Sequence, residues 1–368
     1  MKVLVTGADG FIGKNLCIAL MRINNVELYK YDIDNSVEEL NTYLSDVDII
    51  FHLAGVNRPE KEEGYNNNAE FTEQIFEILK KHNNPVPVIF SSSSQSILDN
   101  IYGKSKKNAE DYLIEYSKIL NTSVCIYRFP NVFGKWSKPN YNSVVSTFCY
   151  NLSHNLEISI SDKSRIVEFV YIDDVINCFT DKLKNISEKS KYYYDDYPTY
   201  KISLGDLAER ISYFKNSRTS LLIDDFSDNL TKYLYSTYLS YLDKDDLIYP
   251  VDKKIDDRGW LFELLKSKYL GQIFISKTKP GITRGNHYHH SKVEKFCVIS
   301  GIASVKLRHL IDNLTVEYIV DDEKIQIIDI PPGYTHSIKN IGDKDLMTIF
   351  WANEIFNQNK PDTYFLEV

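Results

Sequence analysis

The sequence predicts an α/β protein, in which a doubly wound parallel sheet is followed by a smaller all-β barrel. A glycine-rich turn at residues 7–13 follows a short apolar run and opens a helical pattern. Beyond Pro250 the pattern changes to short strands separated by turn residues, which is typical of a barrel. A chain of 368 residues is long enough for two domains. We therefore predict one domain over residues 1–243 and a second over residues 244–368.

The first strand and its glycine turn predict a dinucleotide site. Residues 2–6 are an apolar run, and a helical pattern begins directly after the glycines. Glycines let the backbone approach a pyrophosphate, and the N-terminus of a helix favours its negative charge. The predicted cofactor-binding residues of this turn are Gly7, Gly10, Phe11, Ile12 and Gly13.

The second strand, residues 26–31, ends at Asp32. An acidic side chain at this place accepts hydrogen bonds from the adenosine ribose and repels a 2′-phosphate, which favours NADH. The alternative is a solvated loop aspartate, because Asp34 and Lys30 crowd the same end of the strand. The choice between NADH and NADPH stays open on this evidence.

A serine, a tyrosine and a lysine predict the reaction centre of a reductase. Tyr102 and Lys106 lie four positions apart in a helical pattern, so they share one face. A free phenol has a pKa of about 10, and a neighbouring ammonium makes it a better acid–base catalyst. Lys106 is suited to that role and to holding the nicotinamide ribose. Ser93, at the end of a buried strand, is predicted to bind the substrate carbonyl, with Ser92 as the alternative.

Four side chains in the last quarter of the chain predict a metal site. That quarter holds five of the eight histidines. His287 and His289 are two positions apart, which places both on one face of a strand. Glu294 and His336 can reach that face from neighbouring strands. Three imidazoles and one carboxylate suit a divalent transition metal; the alternative is that these are ordinary core or surface residues.

Composition excludes several classes of partner. The net charge is −8 and no basic run is present, which argues against nucleic acid. The five cysteines are scattered and odd in number, as in a protein with reduced thiols. No apolar run approaches the length of a membrane span. We therefore expect a cytoplasmic protein that does not bind membranes.

The motifs together resemble known families. The glycine spacing, the segment Leu53-Ala54-Gly55 and the Tyr-x-x-x-Lys helix resemble extended short-chain dehydrogenases/reductases, in which Leu53, Ala54 and Gly55 lie along the cofactor. The histidine motifs resemble the two-part signature of the cupin, a jelly-roll barrel. With the stretches 52–59, 134–144 and 361–368, the whole chain is similar to the CapF family of capsular polysaccharide synthesis enzymes.

That resemblance implies a bifunctional enzyme acting on a UDP-linked 2-acetamido-2,6-dideoxy-4-keto-hexose. The cupin inverts C3 and the reductase domain then reduces the C4 ketone, giving UDP-2-acetamido-2,6-dideoxy-L-talose, the precursor of N-acetyl-L-fucosamine. The family uses NADPH, its cupin holds Zn²⁺, and extended reductases pair as homodimers; Asp32 leaves NADH possible. Candidates for the epimerase base are His290, His309 and Tyr334.

Two rival functions follow from the same residues. One is a 4-keto-sugar reductase whose cupin only binds sugar or forms the dimer. The other is a dinucleotide or sugar sensor that has kept the fold. Sensors of this kind usually lose the tyrosine or the lysine, and Tyr102 and Lys106 are both present.

Overall fold

The computed structural model describes residues 1–57, 59, 61–184 and 191–368. Arg58, part of the stretch 52–59 quoted above, lies outside the described residues. The chain divides into two compact units: residues 1–211 with 233–242, and residues 212–232 with 243–368. This division gives residues 212–232 to the second unit, where a short strand within them pairs with the barrel. The boundary at 243/244 stays a prediction.

The first unit is built on a six-stranded parallel sheet with the strand order β2-β1-β3-β4-β5-β8. These strands are Lys2–Thr6 (β1), Glu27–Tyr31 (β2), Ile49–His52 (β3), Val88–Ser93 (β4), Val124–Phe129 (β5) and Tyr193–Tyr194 (β8). The central strands are apolar on both faces, as a sheet covered by helices on both sides requires. Strand order reverses at β1, so a crevice opens beyond the carboxyl ends of β1 and β3.

Helices and a small second sheet complete this unit. The helices are Phe11–Leu20 (α1), Val37–Asp46 (α2), Asn67–His82 (α3), Ile101–Leu120 (α4), Val144–Ser153 (α5), Ile172–Lys184 (α6), Leu204–Ser220 (α7) and Asn229–Leu239 (α8). The second sheet joins Asn131–Phe133 (β6), Ile166–Tyr171 (β7) and Tyr200–Ser203 (β9). Both α7 and α8 run across the division between the two units.

A single apolar cluster fixes α3 and α4 to the parallel sheet. Phe76 and Leu79 of α3 and Tyr116 of α4 are buried in it against β4 and β5. The hydroxyl of Tyr116 donates to the carbonyl of Val86 at 2.7 Å, which satisfies the one polar atom of that ring. Across the described ranges, with their gaps at 58, 60 and 185–190, no helix is long and apolar enough to cross a membrane.

The second unit is a barrel of two sheets. One has the order β10-β12-β13-β20-β15-β18, with β11 paired to β12; the other has the order β17-β16-β19-β14-β21. The strands are Leu222–Ile223 (β10), Lys253–Asp256 (β11), Gly259–Ser267 (β12), Gly271–Thr278 (β13), Thr283–Tyr288 (β14), Glu294–Ser300 (β15), Ile302–His309 (β16), Thr315–Asp321 (β17), Ile327–Ile330 (β18), Tyr334–Asn340 (β19), Leu346–Ala352 (β20) and Tyr364–Phe365 (β21).

The interior of this barrel is apolar at its centre. Val305 of β16 and Ile338 of β19 face Phe296 of β15 and Phe350 of β20 across the space between the sheets. Every strand pair except β10 with β12 is antiparallel. The predicted fold, a parallel doubly wound sheet followed by an all-β barrel, is therefore confirmed.

Candidate active sites

The glycine turn lies at the crevice formed by β1 and β3. The predicted residues Gly7, Gly10, Phe11, Ile12 and Gly13 span the end of β1 and the start of α1. Gly7 has φ +70°, and a Cβ on it would lie 2.7 Å from the main-chain nitrogen of Ala54. A Cβ on Gly13 would lie 2.0 Å from the carbonyl oxygen of Gly7. Glycine is therefore required at both places, and the N-terminus of α1 opens onto the crevice.

Asp32 lies directly after β2, beside the glycine turn. Its Oδ2 accepts from the main-chain N–H of Asp9 at 2.7 Å, and its Oδ1 accepts from that of Ile33 at 2.8 Å. These two bonds hold the carboxylate against the turn. Ile33 next to it is 91% exposed, which leaves an apolar surface at the edge of the crevice.

Leu53, Ala54 and Gly55 follow β3 and lie along the same crevice. The N–H of Leu53 donates to the carbonyl of Thr6, and that of Ala54 donates to the Thr6 hydroxyl at 3.3 Å. A Cβ on Gly55 would lie 2.8 Å from Nζ of Lys106. The glycine thus lets the lysine amine approach the main chain.

The sequence predicted no role for His52, the last residue of β3. Its ring joins β3 to β1 and to α3 through hydrogen bonds. It is fully buried, and its ring nitrogens lie 2.8 Å from the Thr6 hydroxyl and 2.9 Å from the Thr72 hydroxyl. Burial, with the charge of Lys106 acting in the same direction, lowers the pKa of His52 to about 3. His52 is therefore a neutral hydrogen-bonding residue at neutral pH.

Tyr102 and Ser93 meet at the carboxyl end of β4. Ser93 caps a 3₁₀ turn, Ser94–Ile97, and the side chain of Asn100 caps α4 by accepting from Gly103. These two compact caps account for the short connection between serine and tyrosine. The Tyr102 hydroxyl donates to Oδ1 of Asn57 at 3.0 Å. Burial raises the pKa of Tyr102, and a hydrogen bond with Ser93 acts against that shift.

Lys106 lies one helical turn after Tyr102 and is 4% exposed. Its Nζ donates to the carbonyl of Ser91 at 3.3 Å and lies 5.2 Å from the centre of the Phe90 ring. Burial lowers the pKa of this amine to about 8, although Glu110 raises it. The lysine is therefore held at the strand end, within the same crevice.

Ser92, the alternative serine, is occupied elsewhere. It is buried, and its hydroxyl donates to Oε1 of Glu110 at 2.6 Å. The same carboxylate accepts two bonds from the guanidinium of Arg128 and one from the hydroxyl of Tyr193. Of the two serines, Ser93 is the one next to Tyr102.

A cavity of about 370 Å³ opens at the start of α5. It is lined by the stretch 140–144, with Thr147 and Phe148 from α5 and Ser159 from the following segment. Ser143 caps this helix by accepting from the N–H of Ser146. The N-terminus of α5 and five asparagine, serine and threonine residues thus line one concave surface, an arrangement that suits an anionic, hydroxyl-rich ligand.

The barrel brings the four predicted metal-binding residues together. Their ligand atoms, one from each of His287, His289, Glu294 and His336, all lie within 4.8 Å of one another. His287 pairs with His336 in register between β14 and β19. Glu294 differs from the expectation, because it begins β15 in the opposite sheet and reaches the cluster across the barrel.

His289 also differs from the expectation, because β14 ends one residue before it. A bulge lies between Gly285 and His287, and after Tyr288 the chain turns away. The carboxylate of Asp362 accepts the main-chain N–H groups of His290, Ser291 and Lys292 at 2.9, 2.8 and 2.9 Å. These bonds take the place of the sheet ladder.

The polarity and burial of the cluster fit a divalent transition metal. His289, Glu294 and His336 are buried. The Nε2 atoms of His289 and His336 lie 3.3 and 3.2 Å from Oε2 of Glu294, but without hydrogen-bond geometry. Among the described residues, these two nitrogens have no hydrogen-bond partner. Such buried, unpaired nitrogens need a ligand of another kind.

The protonation states of His287 and Glu294 also fit a metal site. Burial lowers the pKa of His287 to about 4, and the electrostatic effect of the neighbouring His336 acts in the same direction. The imidazole of His287 is therefore neutral. Burial alone would raise the pKa of Glu294, but the nearby imidazoles of His289 and His336 hold it below its ordinary value. Neutral imidazoles and an ionised carboxylate are the forms that bind metal.

Two families match the chain. The NAD dependent epimerase/dehydratase family matches residues 3–194, and the family described as polysaccharide biosynthesis C-terminal domain matches residues 254–364. The chain is also 43% identical to the UDP-2-acetamido-2,6-beta-L-arabino-hexul-4-ose reductase of Pseudomonas aeruginosa, over 100% of this chain and 99% of the relative.

A solved structure agrees with this chain along its full length. The capsular polysaccharide assembling protein CapF from Staphylococcus aureus superposes with a TM-score of 0.93 at 40% identity, over 100% of both chains. The UDP-glucuronic acid 4-epimerase from Bacillus cereus, solved in complex with NAD, covers 59% of this chain and 85% of its own, at 21% identity and a TM-score of 0.53. That second likeness concerns the fold alone.

Proposed function

Because the chain belongs to the CapF family, whose members are nucleotide-sugar 4-keto reductases of capsular polysaccharide biosynthesis, we propose that it carries out two reactions on one sugar. The substrate is a UDP-linked 2-acetamido-2,6-dideoxy-4-keto-hexose. The barrel inverts C3, and the first unit then reduces the C4 ketone with NAD(P)H. The product is UDP-2-acetamido-2,6-dideoxy-L-talose, the precursor of N-acetyl-L-fucosamine.

The observation that carries the proposal is the presence of two separate reactive groupings, one in each unit. Ser93, Tyr102 and Lys106 surround the carboxyl end of β4 beside a dinucleotide turn. The other grouping is the buried histidine–carboxylate cluster of the barrel. A reductase alone would need the first grouping only.

In the reduction, hydride passes from the nicotinamide to C4 and the carbonyl oxygen gains a proton. Tyr102 is the proton donor, and Ser93 orients the oxygen through its hydroxyl. Lys106 keeps the phenol reactive and holds the nicotinamide ribose. Burial lowers the pKa of this amine to about 8, so at pH 7 most of it is the ammonium that stabilises a phenolate.

In the epimerisation, the C4 ketone makes the C3 hydrogen acidic. A base removes it, an enolate forms, and a proton returns on the other face. His287, His289, Glu294 and His336 would hold a divalent metal, Zn²⁺ by family likeness. When bound, such a metal supplies a Lewis acid for the oxygen of the ketone.

A second candidate function is reduction alone, with the barrel as a sugar-binding or dimer-forming module. It is favoured by the name of the Pseudomonas aeruginosa relative, which specifies a reductase and no epimerase. Under this alternative the barrel cluster serves stability, and C3 keeps its hydrogen throughout.

The deciding experiment incubates the protein with the UDP-linked 4-keto sugar in heavy water, without a nicotinamide cofactor. Deuterium entry at C3 is followed by NMR, and NADH or NADPH is added afterwards. We expect exchange that survives Tyr102→Phe and is lost in His289→Ala. Reduction without C3 exchange in the unaltered protein would establish the second candidate instead.

A further inference from the structure

One histidine of the barrel interior lies outside the metal cluster. Along β16 the side chains of Ala303, Val305 and Leu307 face the core and are buried. His309 is the next residue on that face, since alternate residues of a strand point to the same side. Its side chain is 30% exposed, so it marks the place where the interior becomes accessible.

Strand register places His309 next to the cluster. In the pairing of β16 with β19, Leu307 is opposite His336 and His309 is opposite Tyr334. His309 and His336 are therefore diagonal neighbours, whose Cα atoms lie about 7–8 Å apart. The rings of His309 and Tyr334 are in contact, with centroids 4.9 Å apart.

The main chain of Gly333 ties the two loops together. Its N–H donates to the carbonyl of His289 at 3.2 Å, and its carbonyl accepts from the N–H of Leu310 at 3.0 Å. The loop that carries a metal-binding residue and the turn that begins at His309 are thus bonded to the same residue. The two segments therefore lie at the same end of the barrel.

An acidic residue in that turn lies beside the His309 ring. Oδ1 of Asp312 lies 2.9 Å from Nδ1 of His309, an ion-pair distance without hydrogen-bond geometry. The same oxygen accepts from the N–H of Leu314 at 3.0 Å, and the N–H of His309 donates to the Leu314 carbonyl at 2.9 Å. The turn therefore fixes Asp312 beside Nδ1 and leaves Nε2 directed away from it.

We propose that His309 is the base that removes the C3 proton of the 4-keto sugar and that Asp312 is its positioning residue. This inference rests on the proposed epimerase function and adds the group that performs it. The C3–H bond breaks, its electron pair forms a C3–C4 double bond, and the C4 oxygen takes the negative charge. The proton goes to Nε2 of His309.

A water molecule returns a proton to C3 and restores His309. A water molecule protonates C3 on the opposite face as the double bond returns to a C4 ketone. The hydroxide left behind then takes the proton from His309, so no proton is gained or lost in a cycle. This sequence also accounts for the entry of one deuterium from heavy water at C3.

The two other candidates from the sequence are placed less well for this step. The ring of His290 contacts Tyr288 and Tyr364, with centroid distances of 5.4 and 4.7 Å, and its main chain is bonded to Asp362. Tyr334 lies beside His309 but pairs with no carboxylate in the described contacts of its ring. Of the three, His309 alone combines interior position with an acidic partner.

The test compares His309→Ala and His309→Gln with the matched control His82→Gln, an exposed histidine at the end of α3, using the full chain loaded with Zn²⁺. Three quantities are measured: C3 deuterium exchange without nicotinamide cofactor, bound zinc by atomic absorption, and reduction of sugar already inverted at C3. We expect exchange to fall about a hundredfold to ten-thousandfold in both His309 variants. Zinc content and reduction stay unchanged in the His309 variants, and all three quantities stay unchanged in His82→Gln.

Two further readouts separate a chemical role from a structural one. Free imidazole added to His309→Ala is expected to restore part of the exchange, because it fills the space of the lost base. Asp312→Asn is expected to lower the exchange rate at saturating sugar about tenfold without changing the sugar concentration at half-maximal rate.

The outcomes are distinguishable. Full exchange in His309→Gln, or loss of exchange together with loss of zinc and no imidazole rescue, overturns the assignment of His309 while the epimerase function stands. No exchange in the unaltered, zinc-loaded protein overturns the epimerase function and this assignment with it.

Discussion

The main-chain oxygen of Asp362 accepts a hydrogen bond from Nδ1 of His289, 73 positions earlier in the chain. A carbonyl oxygen can only accept, so Nδ1 carries the hydrogen and Nε2 presents its lone pair to the cluster. The carboxylate of the same aspartate holds the three main-chain N–H groups that follow His289. One residue near the end of the chain thus sets both the tautomer and the path of the metal loop.

Removing the Asp362 carboxylate is expected to weaken metal binding. In Asp362→Ala three main-chain N–H groups lose their acceptor, so the loop that carries His289 is no longer fixed. Outer-shell partners of this kind are worth about 10- to 100-fold in metal affinity. Competition with a zinc-specific chelator measures the change directly.

The control for this prediction is Asp343→Asn, an exposed aspartate in a turn of the same barrel. It is expected to bind zinc as the unaltered chain does. Equal zinc affinity in Asp362→Ala and Asp343→Asn would show that the loop holds its shape without the carboxylate.

The two neighbouring serines of β4 are expected to respond differently to removal of the hydroxyl. Ser93→Ala should lower the rate of ketone reduction about 100-fold, because one donor to the developing alkoxide is lost. Ser92→Ala should leave that rate nearly unchanged but lower the free energy of unfolding by about 1.5–3 kcal/mol, the usual worth of a hydrogen bond to a charged group. Its hydroxyl bonds to the buried carboxylate of Glu110.

Steady-state rates with the 4-keto sugar and urea unfolding of each variant measure both effects. A drop in reduction rate for Ser92→Ala, with Ser93→Ala active, would exchange the roles of the two serines.

Local patterns in the sequence predicted most of the fold. The glycine turn with its flanking strand and helix, and the Tyr-x-x-x-Lys helix, are determined by residues a few positions apart, and the structure places them as expected. His287 and His336 share one sheet for the same reason. The fold class and the family are confirmed; the roles of these residues remain predictions.

Those local patterns could not predict contacts between residues that lie far apart in the sequence. Nothing near His289 in the sequence indicates that Asp362 will bind its loop, since that contact exists only once β21 pairs with β14. The place of Glu294 in the opposite sheet depends likewise on how the barrel closes. Residues 212–232 contain a strand of two residues, too short to show a periodic pattern, and this strand pairs with β12.

The buried ammonium of Lys106 is expected to lower the free energy of unfolding of the protein. Burial lowers the pKa of its amine from the ordinary 10.5 to about 8. Below pH 8 both folded and unfolded chains bind the proton, and the folded chain bears the full cost of a buried ammonium. Between those two pKa values the unfolded chain binds more protons, so the free energy of unfolding rises with pH.

Lys106→Met removes that cost. At pH 7 the free energy of unfolding should rise by about 3 kcal/mol, and the gain should shrink towards pH 10. Hydrogen exchange of the β4 and α4 amides in urea measures it, while ketone reduction should be lost. Lys104→Met, an exposed neighbour paired with Asp99, should change stability by about 0.5 kcal/mol or less at either pH. An equal rise in the free energy of unfolding at pH 7 and pH 10 would show that the rise does not come from removing a buried charge.

The family resemblance implies NADPH, but the position of Asp32 leads us to expect that this chain prefers NADH. Its carboxylate is fixed against the glycine turn by the N–H groups of Asp9 and Ile33, where an adenosine 2′-phosphate would approach it. A negative charge about 4 Å from a phosphate costs about 1–2 kcal/mol even in water, so kcat/KM should be about tenfold higher with NADH. Asp32→Asn should remove most of that preference, whereas Asp34→Asn, an exposed neighbour, should keep it. Equal kcat/KM for both coenzymes in the unaltered protein would mean that the carboxylate stabilises the glycine turn and does not discriminate between NADH and NADPH.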